Sequence, residues 1–459
     1  VTQDTHGKSP EHSSLIGALS RVGSEDFSGE RIPNKLRLRW PMLTVVWFGA
    51  AMFVGLYYTG MEMGTQMGSL TNALTAIGLG AAFLCIFLIL TGIVGQRTGA
   101  STALIGIYAF GRKGAAIPAF HIADIGWFIV MIAQFVVIVE YFVPWVDGRV
   151  LAALCSMLFL TNGFVGVKQM ARLNLIALPI LAFVGVYSIF RVGAVADGGI
   201  AGLFSHSGEA TMTVTAGITV VVGTWISGAS RAADYFRWAR STGDVVKSSI
   251  LGFTLGFLLC IIAGALWGAA LGYQGIPEIL IALGAGMVPL GLLMFSFQTW
   301  TTNEHSGYVT SNSLPVFFET LTGKTVPRRY INIGIAFISM LVAGLGVENY
   351  FIPFISFLGV FIPVIGAISL TDYFIMSKTK FHWSGQRGYY SLELTDERVQ
   401  RNLMNWAVLP ALIIGFVIGF FLDWGVASVN AILGTAIAYV LSCLILAPIN
   451  RKRVASHAN

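Results

Sequence analysis

The chain has 459 residues, 55% hydrophobic and only 11% charged, with a formal net charge of +6. Soluble chains carry about 25% charged residues and a single soluble core stops growing near about 250–300 residues, so a soluble enzyme, a secreted disulfide scaffold and a disordered chain are excluded. The surplus of Lys and Arg points to the cytoplasmic face of a membrane rather than to nucleic acid.

Residues 1–40 are polar and mixed in charge, which predicts a cytoplasmic tail without a cleavable signal peptide. About twelve apolar blocks follow, each near the length that crosses about 30 Å of hydrocarbon as a helix. They are predicted at 41–63, 70–95, 117–145, 149–166, 174–194, 212–238, 245–272, 279–318, 330–346, 350–376, 404–422 and 425–447. The fold class expected is therefore an all-α polytopic membrane protein. Lys and Arg alternate with the loops. Arg37, Arg97, Lys113, Lys168, Arg240, Lys324, Lys378 and Lys452 fall on one side, while Arg149 and Arg191 fall on the other. The positive-inside rule then places both termini in the cytoplasm of a multi-pass protein of the inner (plasma) membrane. Cys85, Cys155, Cys260 and Cys443 lie inside apolar blocks, with neither metal spacing nor a disulfide framework.

Two spans carry paired glycines at mid-depth. The first contains Gly49-Ala50-Ala51-Met52-Phe53-Val54-Gly55, and the sixth contains Val222-Gly223-Thr224-Trp225-Ile226-Ser227-Gly228. Small residues also serve close helix packing. Their separation by five spans, however, fits two oppositely inserted five-helix halves with interrupted lead helices, a plan that places substrate and ion sites at the interruptions. The halves are predicted at 41–194 and 212–376, followed by a cytoplasmic loop at 377–403, accessory helices at 404–447 and a tail at 448–459.

In the third span, Asp124 is a carboxylate at membrane depth, costing about 2.5–3.5 kcal/mol on insertion scales, and is a functional candidate by default. Trp127 shares its face at i+3, and His121 is a candidate partner. Glu140 is read as structural, near the outer end. At the end of the sixth span, Arg231, Asp234 and Arg237 read most simply as a solvated terminus with local ion pairs, with a role in an intracellular gate as the alternative. In the eighth span, Gln298, Thr301 and Thr302 stand at i, i+3 and i+4 and offer oxygens on one face. Such oxygens suit a hard cation, with carbonyls of an interrupted helix completing the shell, although Ser and Thr also bond back to carbonyls one turn earlier. Phe53, Trp127 and Trp225 recur beside these polar positions, and aromatic faces stack flat rings. No His-Glu-x-x-His or Gly-x-Ser-x-Gly pattern occurs, so no enzyme is expected.

The pieces Gly49–Phe53, Gly126-Trp127, Gly223–Gly228 through Asp234 and Arg237, and Thr299-Trp300-Thr301-Thr302-Asn303 together resemble the nucleobase:cation symport-1 family, and within it the cytosine permease branch. The resemblance runs from about residue 40 to 445. It implies a leucine-transporter-type fold of about twelve transmembrane helices, in a five-plus-five inverted repeat with two accessory helices. It also implies sodium- or proton-coupled uptake of a nucleobase, hydantoin or related vitamin. By the same resemblance, sodium would be held by the Gly49 and Met52 carbonyls with Gln298, Thr301 and Thr302. The base would lie between Trp127 and Trp225 near Phe53, with Asn303 reading its edge and the Ser227 and Gly228 backbone adding hydrogen bonds. Three positions depart from the cytosine branch: Asp124 stands where it has Gln, Trp225 where it has Phe, and Gln298 where it often has Asn. Purines and aminopyrimidines stay open as substrates, as does an amino acid or amine whose ammonium pairs with Asp124, or a proton taken up there.

Overall fold

The computed structural model describes residues 27, 29–120, 122–159, 167–205, 207–324, 326–343, 345, 347–386 and 388–456. In chain order its principal elements are α1 (Trp40–Ala51), α2 (Val54–Gln66), β1 (Met67–Ser69), α3 (Leu70–Thr98), α4 (Thr102–Phe110), α5 (Ile122–Phe142), α6 (Gly148–Leu158), α7 (Val167–Val195), β2 (Ser207–Ala210), α8 (Val214–Ser230) and α9 (Ala233–Phe236). The second part comprises α10 (Thr242–Leu271, with a π-helical turn at Ser249–Thr254), α11 (Ile276–Leu283), α12 (Met287–Thr322), α13 (Arg328–Val342), α14 (Phe351–Phe374), α15 (Val408–Phe421) and α16 (Ala427–Ser456). Among the described residues, six helices are long and apolar enough to cross a membrane, or seven if the bent pair α1–α2 is one span. The remaining predicted spans are helices too short or too polar to meet that measure. The predicted block at 279–318 is two helices, α11 and α12, parted by positive-φ residues at Gly284, Ala285 and Gly286. The predicted block at 149–166 is described as helix only to Leu158.

Local sequence explains the ends that matter. Ser69 caps α3 by accepting from the Asn72 amide at 3.2 Å, and Gly99 ends it in the left-handed region at φ 67°. The break between α1 and α2 is a 60° bend at Met52 and Phe53, both extended. The second interruption is not where the glycine pair predicts it. Gly223–Gly228 is continuous helix within α8, and the chain leaves the helix only at Arg231 (φ −113°, ψ 17°). Gly223 instead serves packing against α14: a Cβ there would stand 2.1 Å from the Ile355 carbonyl oxygen.

The two interrupted helices are tied at both extremities. At one, β1 and β2 form a short antiparallel ladder that pairs Met67 with Ala210, and the Thr211 amide donates to the Gln66 carbonyl at 2.9 Å. At the other, Leu38 bridges to Ala239, its amide donating to the Trp238 carbonyl at 2.5 Å while the Arg240 amide donates to the Leu38 carbonyl at 3.1 Å. Around them, α2 packs on α10, α8 lies between α3 and α14, and α12 packs on α5 and α7. The mid-depth region of α1, α5, α8 and α12 thereby converges on one place.

Candidate functional site

Interrupting a helix frees carbonyl oxygens that need partners at membrane depth. In the first break those partners come from α12. The Thr301 hydroxyl lies 3.1 Å from the Gly49 carbonyl oxygen and also bonds back to Phe297 at 2.9 Å. The Thr302 hydroxyl donates to the Met52 carbonyl at 3.0 Å and lies 3.3 Å from that of Ala50. Gly49, Met52, Thr301 and Thr302 are therefore one buried cluster of neutral oxygens, the donor set a hard cation prefers. Both readings of the threonines hold at once, since Thr301 bonds back along its own helix and across to α1.

Gln298 is turned elsewhere. Its amide nitrogen faces the Tyr57 hydroxyl at 3.3 Å and the Cys260 sulfur at 3.6 Å, rather than the α1 carbonyls, while its Oε1 is buried without a hydrogen-bond partner among the described residues. Sequence reading also missed Asn174 on α7. A Cβ on Gly49 would stand 1.4 Å from Asn174 Oδ1, so only glycine admits this close approach, and that Oδ1 likewise has no hydrogen-bond partner among the described residues. Lying 125 positions along the chain from Gly49 by residue number, Asn174 carries no local signal of the contact.

Beside the oxygen cluster lies a cavity of about 20 Å³ lined by Phe53, Asp124, Trp127, Thr224, Trp225, Gly228, Thr302, His305 and Ser306. Space of that size admits about one water. Phe53, extended in the break, packs edge-on against both tryptophans, with ring centroids 5.3 Å from Trp127 and 6.1 Å from Trp225. The Trp225 indole N–H donates to the Ala51 carbonyl at 3.3 Å, and Phe351 and Phe354 close the far side of Trp127. Trp127 and Trp225 therefore share one cavity, with Phe53 in contact with both rings. His305, which the motif reading passed over, stacks on Tyr235 at 4.4 Å and approaches Trp225 at 5.5 Å. Asn303 is fully buried, and neither of its amide atoms has a hydrogen-bond partner among the described residues.

The largest departure from expectation concerns charge. Arg231, Asp234 and Arg237 do not form a solvated end, because all three are buried. The segment preceding α1 folds over this region, and the Phe27 carbonyl accepts from Arg237 at 2.8 Å. Asp234 accepts from the Thr102 hydroxyl at 2.6 Å. Arg231 turns back into the protein and pairs with Asp124, its two terminal nitrogens meeting the two carboxylate oxygens. Its Nε donates to the Ser227 carbonyl at 3.0 Å, and a terminal nitrogen donates to the Ser227 hydroxyl. Ser227 thus holds Arg231, while Gly228 lines the cavity. The one sequence clue to this pair was the cost of an unmatched carboxylate in α5. His121, the partner considered for Asp124, lies outside the described residues. Glu140 stands apart from this site, against Gly148.

Comparison with known proteins agrees with this architecture. Residues 32–442 match the family model described as permease for cytosine/purines, uracil, thiamine, allantoin. The chain is 29% identical to the cytosine permease of Escherichia coli K12 over 434 residues, 94% of this chain and 96% of that one. Its fold is similar to that of Mhp1, a nucleobase-cation-symport-1 family transporter solved closed with bromovinylhydantoin, with a TM-score of 0.74 at 17% identity over 94% of this chain and 96% of that one. A Na+-coupled sialic acid symporter is similar at a TM-score of 0.63 and 14% identity, over 95% and 96% of the two chains.

Proposed function

The chain belongs to the family of permeases for cytosine/purines, uracil, thiamine and allantoin, and from that premise we propose that it imports a flat nitrogen heterocycle together with sodium, by alternating access. It is an integral membrane transporter rather than an enzyme, with the helical fold of that family. The observation that carries the proposal is the adjacency of two unlike sites across one residue. Thr302 lines the aromatic cavity and also bonds the Met52 carbonyl at the break. An ion held by Gly49, Met52, Thr301 and Thr302 would fix the angle between α1 and α12. Phe53 follows Met52 directly, so the same angle governs the space between Trp127 and Trp225. Ion and heterocycle would then bias one conformational equilibrium, which is what coupling requires.

The heterocycle would stack against Trp127 or Trp225 with Phe53 displaced, and Asp124, Gly228 and Asn303 are the groups proposed to read its edge. Sodium is preferred to a proton carried by Asp124. Protonating that carboxylate would break the buried pair it forms with Arg231, at a cost of about 3–5 kcal/mol. An amine in the cavity would likewise have to compete with Arg231 for Asp124. The Lys and Arg alternation of the loops supports cytoplasmic termini and a location in the inner membrane.

The test is uptake of labelled cytosine, uracil, adenine and hypoxanthine into proteoliposomes under an imposed inward sodium gradient. Accumulation of at least one base that collapses when sodium is replaced by potassium is the expected result. Uptake that follows a proton gradient and ignores sodium, or no uptake of any heterocycle, would overturn the proposal.

A further inference from the structure

We infer that Arg231 sets the charge preference of the substrate cavity, making it a site for uncharged heterocycles that offer N–H donors; the inference rests on the heterocycle reading above. Two cavities meet at the Asp124–Arg231 pair. The aromatic one is lined by Asp124 but not by Arg231. A second, of about 40 Å³, is lined by Arg231 and Ser227 together with residues of α14 and of the segment before α5, such as Ile362, Gly366 and Phe120, but not by Asp124. The guanidinium therefore stands behind the carboxylate as seen from the substrate. Ser227 holds it there through both its carbonyl and its hydroxyl.

This placement has a definite chemical consequence. A carboxylate has about four lone-pair directions, and a fork-like guanidinium takes one on each oxygen. The remaining lone pairs can still accept N–H groups from the front. The net charge presented to the cavity is nevertheless close to zero, because the countercharge is already in contact. Asp124 then acts as an acceptor without acting as an anion. It selects a donor edge, such as a ring N–H or exocyclic amine, and gives no advantage to a cation. A lone Asp124 would favour a cation, and a lone Arg231 an anion. At an effective dielectric near 20, a unit charge at contact distance is worth far more than the tenfold change in affinity that corresponds to about 1.4 kcal/mol.

The experiment measures equilibrium binding to the purified full-length protein in sodium. The probes are cytosine as the neutral ring, 1,3-dimethylcytosinium as the cation and uracil-6-carboxylate as the anion. Wild-type protein should bind cytosine more tightly than either charged ring. Arg231→Gln should shift the cation-to-neutral affinity ratio upward by about tenfold or more, and Asp124→Asn should shift the anion-to-neutral ratio upward by a similar factor. The double variant Asp124→Asn/Arg231→Gln, which removes both charges of this pair and leaves Asp234 with Arg237, should return to neutral preference. Comparing ratios between variants removes the difference in probe size. A purely structural pair would lower all three affinities together. Unchanged ratios in the single variants, or wild-type preference for a charged ring, would overturn the inference alone. If a single variant does not fold, the wild-type preference and the double variant still decide it. Failure of wild-type protein to bind any of the three rings would overturn this inference, and failure to bind uracil, adenine or hypoxanthine as well would overturn the heterocycle reading with it.

Discussion

The Thr302 hydroxyl donates to the Met52 carbonyl at 3.0 Å, joining a long continuous helix to the point where another is interrupted. Removing that hydroxyl leaves the fold's apolar contacts in place and takes away one oxygen of the proposed ion site. Thr302→Ala should raise the sodium concentration needed for half-maximal substrate binding by about tenfold, about 1.4 kcal/mol, while Thr302→Ser stays near wild type. Sodium titration of substrate binding checks this. An unaltered midpoint in Thr302→Ala would remove Thr302 from the ion site.

Trp127 presents its ring to the cavity, with Phe53, Phe351 and Phe354 in T-shaped contact with it. Trp127→Ala should weaken heterocycle binding by about 1–3 kcal/mol, the range of one base–aromatic stack. Trp127→Phe should recover part of the loss. Saturation binding at fixed high sodium is the measurement, and an affinity indifferent to the loss of the ring would place the heterocycle elsewhere.

Gly223 and Gly78 make a matched pair of helical glycines. A Cβ on Gly223 would stand 2.1 Å from the Ile355 carbonyl oxygen, whereas one on Gly78 meets nothing within 4 Å. Gly223→Ala should therefore lower stability by about 1–3 kcal/mol through overpacking between α8 and α14. Gly78→Ala should be neutral or slightly stabilising, since Ala is the better helix former. Thermal unfolding in detergent compares them directly, and equal melting temperatures would contradict the close approach of α8 to α14.

Asp372 at the end of α14 is fully buried and accepts from Tyr439 at 2.6 Å and Tyr390 at 2.8 Å, with His382 Nε2 at 3.2 Å. The network ties α14 to α16 and to the loop at 377–403. Asp372→Asn should cost stability of about 1.5–3 kcal/mol, the scale of hydrogen bonds to a charged group. It should leave the sodium midpoint unchanged, because no member of the network lines the cavity. A shifted midpoint with unchanged melting would reverse that assignment.

Apolar blocks and the alternation of Lys and Arg made the membrane class legible, because the bilayer imposes both directly on sequence. The first break was legible too, since Gly49 and Gly55 flank it and the Thr301-Thr302 pair supplies partners for its carbonyls. The second was misplaced because glycine marks close packing as readily as it marks a break, and Gly223 answers to Ile355 rather than to a ligand. Arg231 was misjudged for a different reason. Its neighbours Asp234 and Arg237 look like a charged terminus, and only the tertiary fold shows the segment before α1 covering them and Asp124 lying within reach, 107 positions away. Asn174 beside Gly49 is hidden in the same way.

The ladder between Met67 and Ala210 and the bridge between Leu38 and Ala239 fasten the two broken helices to each other above and below the cavity. Neither helix can slide along the other without tearing main-chain hydrogen bonds at one extremity. On the transport reading proposed above, they would swing as a single hinged leaf, so that tilting it to uncover the aromatic cavity toward one side of the bilayer would shut that cavity from the opposite side. One short ladder and one isolated bridge would in this way forbid an open pore.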